Sequence, residues 1–340
     1  MTLMQLVRPV EPLSTANLIR WTLRIYLRHL PSWLALAALT LIPLAVFNVV
    51  VDLWQAGLVD WERLNAAFAI PPQQSALLDP TLLLQFTQLG ISEIGAQMIV
   101  QLVQGVVLGG VGAVLTAAAF RGQAVSLLEG GRVALGERLT ALVAGHGAAL
   151  GALIVLIVAS AFGMLFCVGV LGFGAAAYVY LAWVPLMAPV MALERGPLAR
   201  LLARAWYFGK KRVWVIFAAF LALWALGFCV SLPVGWIVDA LLGLLPSSDL
   251  LRVTGVQASV VIVQGMTLPL GAIFYTLLYE DARLRLDIPG GAADDIADPP
   301  EGVITTADLP NLVGVALLAL GLLFALFYVT MTASLALLTP

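Results

Sequence analysis

Long apolar runs alternate with short charged segments along almost the whole chain, and that alternation predicts membrane-spanning helices. The runs fall at 32–54, 94–120, 140–164, 170–193, from Val213 onward, at 254–279 and at 311–336. Pro233 is expected to break the fifth, leaving 234–245 as a short outer helix. A helical stretch from Thr81 feeds the second span; to residue 120 it would reach roughly 60 Å at about 1.5 Å per residue. That is longer than a bilayer core, so the part before Glu93 is expected to stand outside or lie on the surface.

The segments between the runs have patterns of their own. After a lead-in with Pro9 and Pro12, Ser14 or Thr15 can cap a helix in which Arg20, Arg24 and Arg28 form one stripe. Leu18, Trp21, Ile25 and Leu30 give it apolar surface elsewhere, and Pro31 ends it; such a helix lies in the membrane interface. Residues 197–208 read similarly. Pro197 suits the first helical position and Gly209 the stop, with Leu198, Leu201, Leu202, Ala205 and Phe208 on one face and Arg200 and Arg204 on another. Lys210-Lys211-Arg212 follows, directly before the fifth span. Residues 287–310 are acidic and rich in Pro and Gly, and read as a flexible linker.

Composition agrees with this pattern: the 340 residues are 62% hydrophobic and 11% charged, a balance that excludes an ordinary soluble domain. Net charge is −2, but the cations are unevenly placed. The segments before span one, between two and three, between four and five, and after six carry four, three, six and two Lys or Arg, fifteen of the seventeen. Excess Lys and Arg marks the cytoplasmic side, which predicts a cytoplasmic N-terminus, an extracytoplasmic C-terminus and residence in the cell membrane. No cleavable leader is expected, because the first apolar run lies behind Arg20, Arg24 and Arg28 and no small-residue cleavage site follows it. Cys167 and Cys229 sit inside apolar runs and read as buried thiols, with a disulfide or metal pair as the alternative.

Spacing suggests an internal repeat. An offset of 74 carries Arg121-Gly122 onto Arg195-Gly196, Leu128 onto Leu202 and Arg138 onto Arg212; an offset of 110 carries Leu18 onto Leu128 and Arg28 onto Arg138. The expected fold is all-α: a polytopic membrane helix bundle of six spans in three hairpins, each preceded by a cytoplasmic amphipathic helix, plus a seventh C-terminal span. The domain division is a six-span membrane domain at 1–286, the linker at 287–310 and the C-terminal transmembrane helix at 311–340.

Candidate chemistry is sparse. Arg200, Arg204, Lys210, Lys211 and Arg212, with Arg20, Arg24 and Arg28, are the candidate seat for anionic lipid headgroups or an acidic partner, each charge contributing about 1 kcal/mol near an anionic surface. The competing reading is that they only set topology. Gln97, Gln101 and Gln104 share a face of span two, and Gln257 and Gln264 a face of span six; they would line a polar path or hydrogen-bond between helices. Gly105, Gly109 and Gly112 allow close helix approach. Asn48, Asp52 and Asp239 near the outer face are a weaker cation-site candidate beside plain helix-end polarity. His29 and His146 are the only histidines, and no phosphate-binding glycine loop, HExxH helix or GxSxG elbow is present. No catalytic residue, metal or cofactor is expected, and basic segments interleaved with apolar spans fit nucleic acid poorly.

The run APVMALERGPLARLLARAWYFGKKRVWVI and the later PLGAIFYTLLYEDARLRLD resemble the membrane-domain family named after glycerophosphoryl diester phosphodiesterase. The resemblance is carried by Glu194, Trp214, Pro269, Thr276, Leu277, Leu278, Tyr279, Asp281, Arg283 and Arg285 and covers roughly 14–287. It implies the membrane domain alone. In phosphodiesterases bearing that domain, hydrolysis resembles that of a separate soluble barrel using His, Glu and Asp, which this chain lacks. The seventh span and its tether depart from the family pattern, which ends near Arg285. The functional expectation is a non-enzymatic multi-pass protein acting as a lipid-interacting scaffold or accessory subunit, with other membrane proteins reached through the C-terminal helix; the alternative is a transporter using the glutamine faces.

Overall fold

The structure is a computed structural model, and it describes residues 13–58, 80–164, 169–244, 249–286, 308–318 and 321. Every regular element among them is helical: α1 Thr15–Arg28, α2 Leu30–Leu58, α3 Pro80–Val103, α4 Gly112–Phe120, α5 Leu127–Gly131, α6 Leu139–Met164, α7 Gly169–Leu193, α8 Leu198–Leu242 and α9 Asp249–Leu286. A short apolar helix, α10, covers Leu309–Leu318. The wider π-type turns at Gln104–Val111 and Arg132–Glu137 join α3 to α4 and extend α5.

Among the described residues, six helices are long and apolar enough to cross a membrane: Leu30–Gly57, Thr87–Phe120, Leu139–Gly163, Gly172–Leu193, Leu198–Leu242 and Leu250–Arg285. They show outward rows of large apolar side chains, such as Val155, Phe162, Trp224, Trp236 and Ile237. Those rows have no protein cover, and hydrocarbon is the solvent that suits them.

The chain forms two compact units. One comprises Met1–His29, Gly105–Leu223 and Leu270–Pro340, the other Leu30–Gln104 and Trp224–Pro269. In the first, α6 and α7 pack along their length, with Leu142, Tyr178, Leu186, Met187 and Met191 fully buried. His146 is buried in α6, its Nδ1 within 2.9 Å of the Leu142 carbonyl oxygen, and its ring fills the space over Gly105. In the second, Trp33, Leu36, Ala37, Leu41 and Leu44 of α2 and Ala96 and Val100 of α3 are buried apolar residues.

Local signals set the helix ends. The Ser14 side chain accepts from the Asn17 amide at 3.3 Å and Ser126 from that of Glu129 at 3.2 Å, both at helix starts. Gly122, at φ 74°, closes α4: the Gly122 amide donates to Ala119 and the Gln123 amide to Ala118, at 3.1 and 2.9 Å. The three segments that lead into spans one, three and five end at residues of nearly one backbone shape: His29 (φ −115°, ψ 25°), Arg138 (φ −118°, ψ 1°) and Arg212 (φ −120°, ψ 15°).

Several sequence expectations are corrected. Pro233 does not break span five; α8 runs through it to Leu242 and is interrupted at Arg212 instead. Pro43, Pro185, Pro189 and Pro269 also lie inside helices. A proline removes one backbone bond, and neighbouring packing in a bundle absorbs that loss. Pro31 opens α2 rather than ending α1, in the first turn where its missing N–H costs nothing. Cys229 is exposed on α8 rather than buried, since a thiol facing hydrocarbon needs no partner; Cys167 lies outside the described residues. So do 287–307 of the expected linker; at its described end Asp308 is buried. Of the expected seventh span, the described part is helical at Leu309–Leu318.

The segment 198–211 is not the free surface helix its two faces suggested. Leu201, Arg204, Ala205, Trp206, Phe208, Gly209 and Lys210 are all buried, because the helix folds back along α7. Trp183 donates from its indole to the Leu202 carbonyl at 3.1 Å, and Trp206 meets Tyr178 and Trp183 edge-on at 6.0 and 6.1 Å. The contact is tightest at Gly209, where an added Cβ would overlap the Ala182 carbonyl oxygen. Gly209→Ala is therefore expected to cost about 1–3 kcal/mol in a detergent melt, while Gly151→Ala, with open space at its Cβ, is expected to cost nothing. Equal melting of the two variants would contradict this packing.

Candidate functional site: a buried ion-pair network at the helix ends

The first unit gathers its charges where helices end. Glu194 follows the last residue of α7, in a turn completed by Gly196 at φ 157°. Its carboxylate is buried, and Oε1 accepts from Arg204 Nε and from the Tyr279 hydroxyl, both at 2.7 Å. Its backbone oxygen accepts from Arg138 at 2.5 Å. Arg204 also lies over the Phe208 ring at 4.5 Å, and Phe208 meets Tyr279 edge-on at 5.9 Å. One oxygen of Glu194, Oε2, is buried and has no hydrogen-bond partner.

Two residues past Tyr279, Asp281 is fully buried. It pairs with Arg212, at the interruption of α8, and with Arg285 one turn on, 3.0 Å from Oδ2. Its Oδ1 accepts the Leu13 amide at 2.7 Å, and Arg285 donates to the Leu13 carbonyl at 2.8 Å, so the chain just before α1 is clasped from both sides. Between them Glu280 pairs with Arg121, the residue that ends α4, at 2.9 Å. Tyr279, Glu280 and Asp281 thus tie the end of α9 to three other helix ends.

A further pair holds the C-terminal segment. Lys210 and Asp308 are both buried and 3.0 Å apart. Beyond them Trp214 donates to Asn311 at 2.8 Å, and Ala316 fills the space over Gly174. The described start of α10 is therefore seated on α7 and α8 of its own chain, with Leu309, Val313 and Leu317 facing outward.

The structure distributes the basic candidates. Arg204, Lys210 and Arg212 are engaged with Glu194, Asp308 and Asp281. Arg200 is half-buried, and Lys211, Arg20, Arg24 and Arg28 are exposed. Burial, then the neighbouring Arg195 charge, lowers the Arg138 pKa from its ordinary value. Burial and the Arg28 charge hold the His29 imidazole below its usual range, favouring the neutral ring.

The glutamines belong to the second unit and do not form one lining. Gln104 donates to Gln264 at 3.1 Å, Gln257 to Asp52 at 3.0 Å and Gln97 to Glu93 at 2.9 Å; Gln101 is exposed. Gln55, which the pattern did not single out, donates to Ser92 at 2.9 Å. Asp239 is exposed and Asp52 is engaged by Gln257. No group of three or more His, Cys, Asp or Glu able to hold a metal occurs among the described residues.

Sequence reasoning placed the cations but not their partners. Glu194, Tyr279 and Asp281 entered only as motif positions, and Asp308 only as part of a linker. The legible signal was the Asp281–Arg285 spacing of one helical turn and the run Tyr279-Glu280-Asp281 at the close of an apolar helix. Fold and network together define a multi-pass helical membrane protein. Comparison with known protein families, with curated proteins and with solved structures finds no match.

Asp281→Ala strands Arg212 and Arg285 and is expected to cost about 3–5 kcal/mol of stability in mild detergent. Tyr279→Phe removes one donor from Glu194 and is expected to cost about 1.5–3 kcal/mol. The same melting curves check both; an Asp281→Ala variant as stable as the parent would remove the network from its structural role.

Proposed function

We propose that this is a non-enzymatic membrane-resident scaffold or accessory subunit of a larger membrane assembly, with the basic helix ends at the cytoplasmic face. The observation that carries the reading is where the buried charge goes. In the first unit, Glu194, Glu280, Asp281 and Asp308 each meet an Arg or Lys at a helix end. Carboxylates held this way fix helix positions. The outward apolar row of α10 offers neighbouring membrane proteins a face, while Asp308 and Asn311 keep its start on this chain. The resemblance to the membrane domain of glycerophosphoryl diester phosphodiesterases supports the same reading, because Glu194, Tyr279, Asp281 and Arg285 are motif positions that meet in the network.

The competing reading, a solute path along the glutamines, is disfavoured by their pairing. Gln104 donates to Gln264, and Gln257 donates to Asp52.

Gentle solubilisation and affinity purification of the full chain test the proposal. The expected result is a defined complex with another membrane protein, lost when Leu309, Val313 and Leu317 are replaced by Ala. A clean monomer from several mild detergents would sink the accessory role. Solute uptake into proteoliposomes that falls on Gln104→Ala would favour the path.

A further inference from the structure

α1 carries three stripes. Leu18, Thr22, Ile25 and Tyr26 are buried against the first unit. Next to them, Ile19, Leu23 and Leu27 stand 50%, 48% and 66% exposed, one helical turn apart. Beside these, Arg20, Arg24 and Arg28 repeat the same spacing and are exposed. Trp21 borders the stripes, edge-on to Phe120 of α4 at 5.3 Å, with the Arg24 guanidinium 5.5 Å from its ring centre. The helix contains no acidic residue.

The helix is also tied to the rest of its unit at its start. Ser14 caps its start, Thr22 donates to the Leu18 carbonyl at 2.8 Å, and Leu13 is clasped by Asp281 and Arg285. Its two outer stripes are presented at a fixed angle to the ends of α4 and α9, and no folding step is needed before they engage a partner.

We propose that α1 docks on the anionic phospholipid surface of the membrane the protein spans, with Ile19, Leu23 and Leu27 below the phosphate level and Arg20, Arg24 and Arg28 on the phosphates. A bilayer boundary is the partner that offers hydrocarbon and anionic oxygen side by side along a straight line. A second copy fits poorly, because two such helices would set arginine stripes against each other. A protein partner would need an acidic row and an apolar row at matching pitch. The proposal rests on the membrane-spanning reading and not on the accessory role.

The test uses the full chain in nanodiscs, with Leu23→Cys in a Cys167→Ser, Cys229→Ser background carrying a polarity-sensitive fluorophore. Discs are made of phosphatidylcholine alone or with phosphatidylglycerol added. The expected result is a blue-shifted probe quenched by spin-labelled lipid in the phosphatidylglycerol discs. Native mass spectrometry of the parent chain is expected to show preferential retention of phosphatidylglycerol. Replacing Arg20, Arg24 and Arg28 by Gln should reduce that preference by roughly fivefold per charge, with unchanged melting. A probe that stays in water in both discs, or equal retention of the two lipids by the parent chain, overturns the proposal. So does a shift that appears only with two chains per disc or after adding a protein partner. If the triple variant does not fold, the probe and the parent retention decide alone. Lipid docking without any co-purified protein would leave α1 as assigned and remove only the accessory role.

Discussion

A carboxylate taken out of water must meet a cation inside the molecule, and in this protein that requirement decides how the helices finish. Glu194, Glu280 and Asp281 are buried, and each is answered by an arginine from another part of the chain or from the next helical turn. Removing either side leaves a stranded charge in a poorly solvated place, a larger penalty than the pair's own attraction repays. The network therefore works as a set of constraints more than as a source of stability. It fixes which ends may lie together, and the apolar packing follows from that arrangement.

The constraint reaches two segments that would otherwise be loosely held. The backbone before α1 is bracketed by Asp281 and Arg285, so the orientation of an amphipathic helix depends on residues more than two hundred and fifty positions away in sequence. The start of α10 is held by Lys210 and Asp308 and then by Trp214 and Asn311. At both places a buried carboxylate gives the segment beside it a defined contact.

The offsets in the sequence meet the structure at particular residues. The offset of 74 carries Arg138 onto Arg212, and both are junction residues that turn the chain with nearly the same φ and ψ. The offset of 110 carries Arg28 onto Arg138, one residue short of the His29 junction. The middle segment reaches its junction through a π-type turn, so its register is not that of the other two. A basic residue at such a junction is long enough to reach a polar group at another helix end, as Arg138 reaches the Glu194 backbone oxygen and Arg212 reaches Asp281.

The sequence by itself determined the class of molecule, because only hydrocarbon can cover long apolar helices of this kind, and it located helix starts at Ser14 and Pro197, whereas the stop expected at Gly209 falls at Arg212 instead. It showed that α1 has basic and apolar stripes, a property of spacing alone. Only the tertiary structure decided which cations are spent and which are free. Arg204 and Arg20 look alike in a helical projection, yet one lies against Glu194 and the other is exposed. The difference comes from partners distant in sequence: α7 packs against the face of 198–211 that bears Arg204 and Lys210, and the face of α1 that bears Arg20, Arg24 and Arg28 is left uncovered.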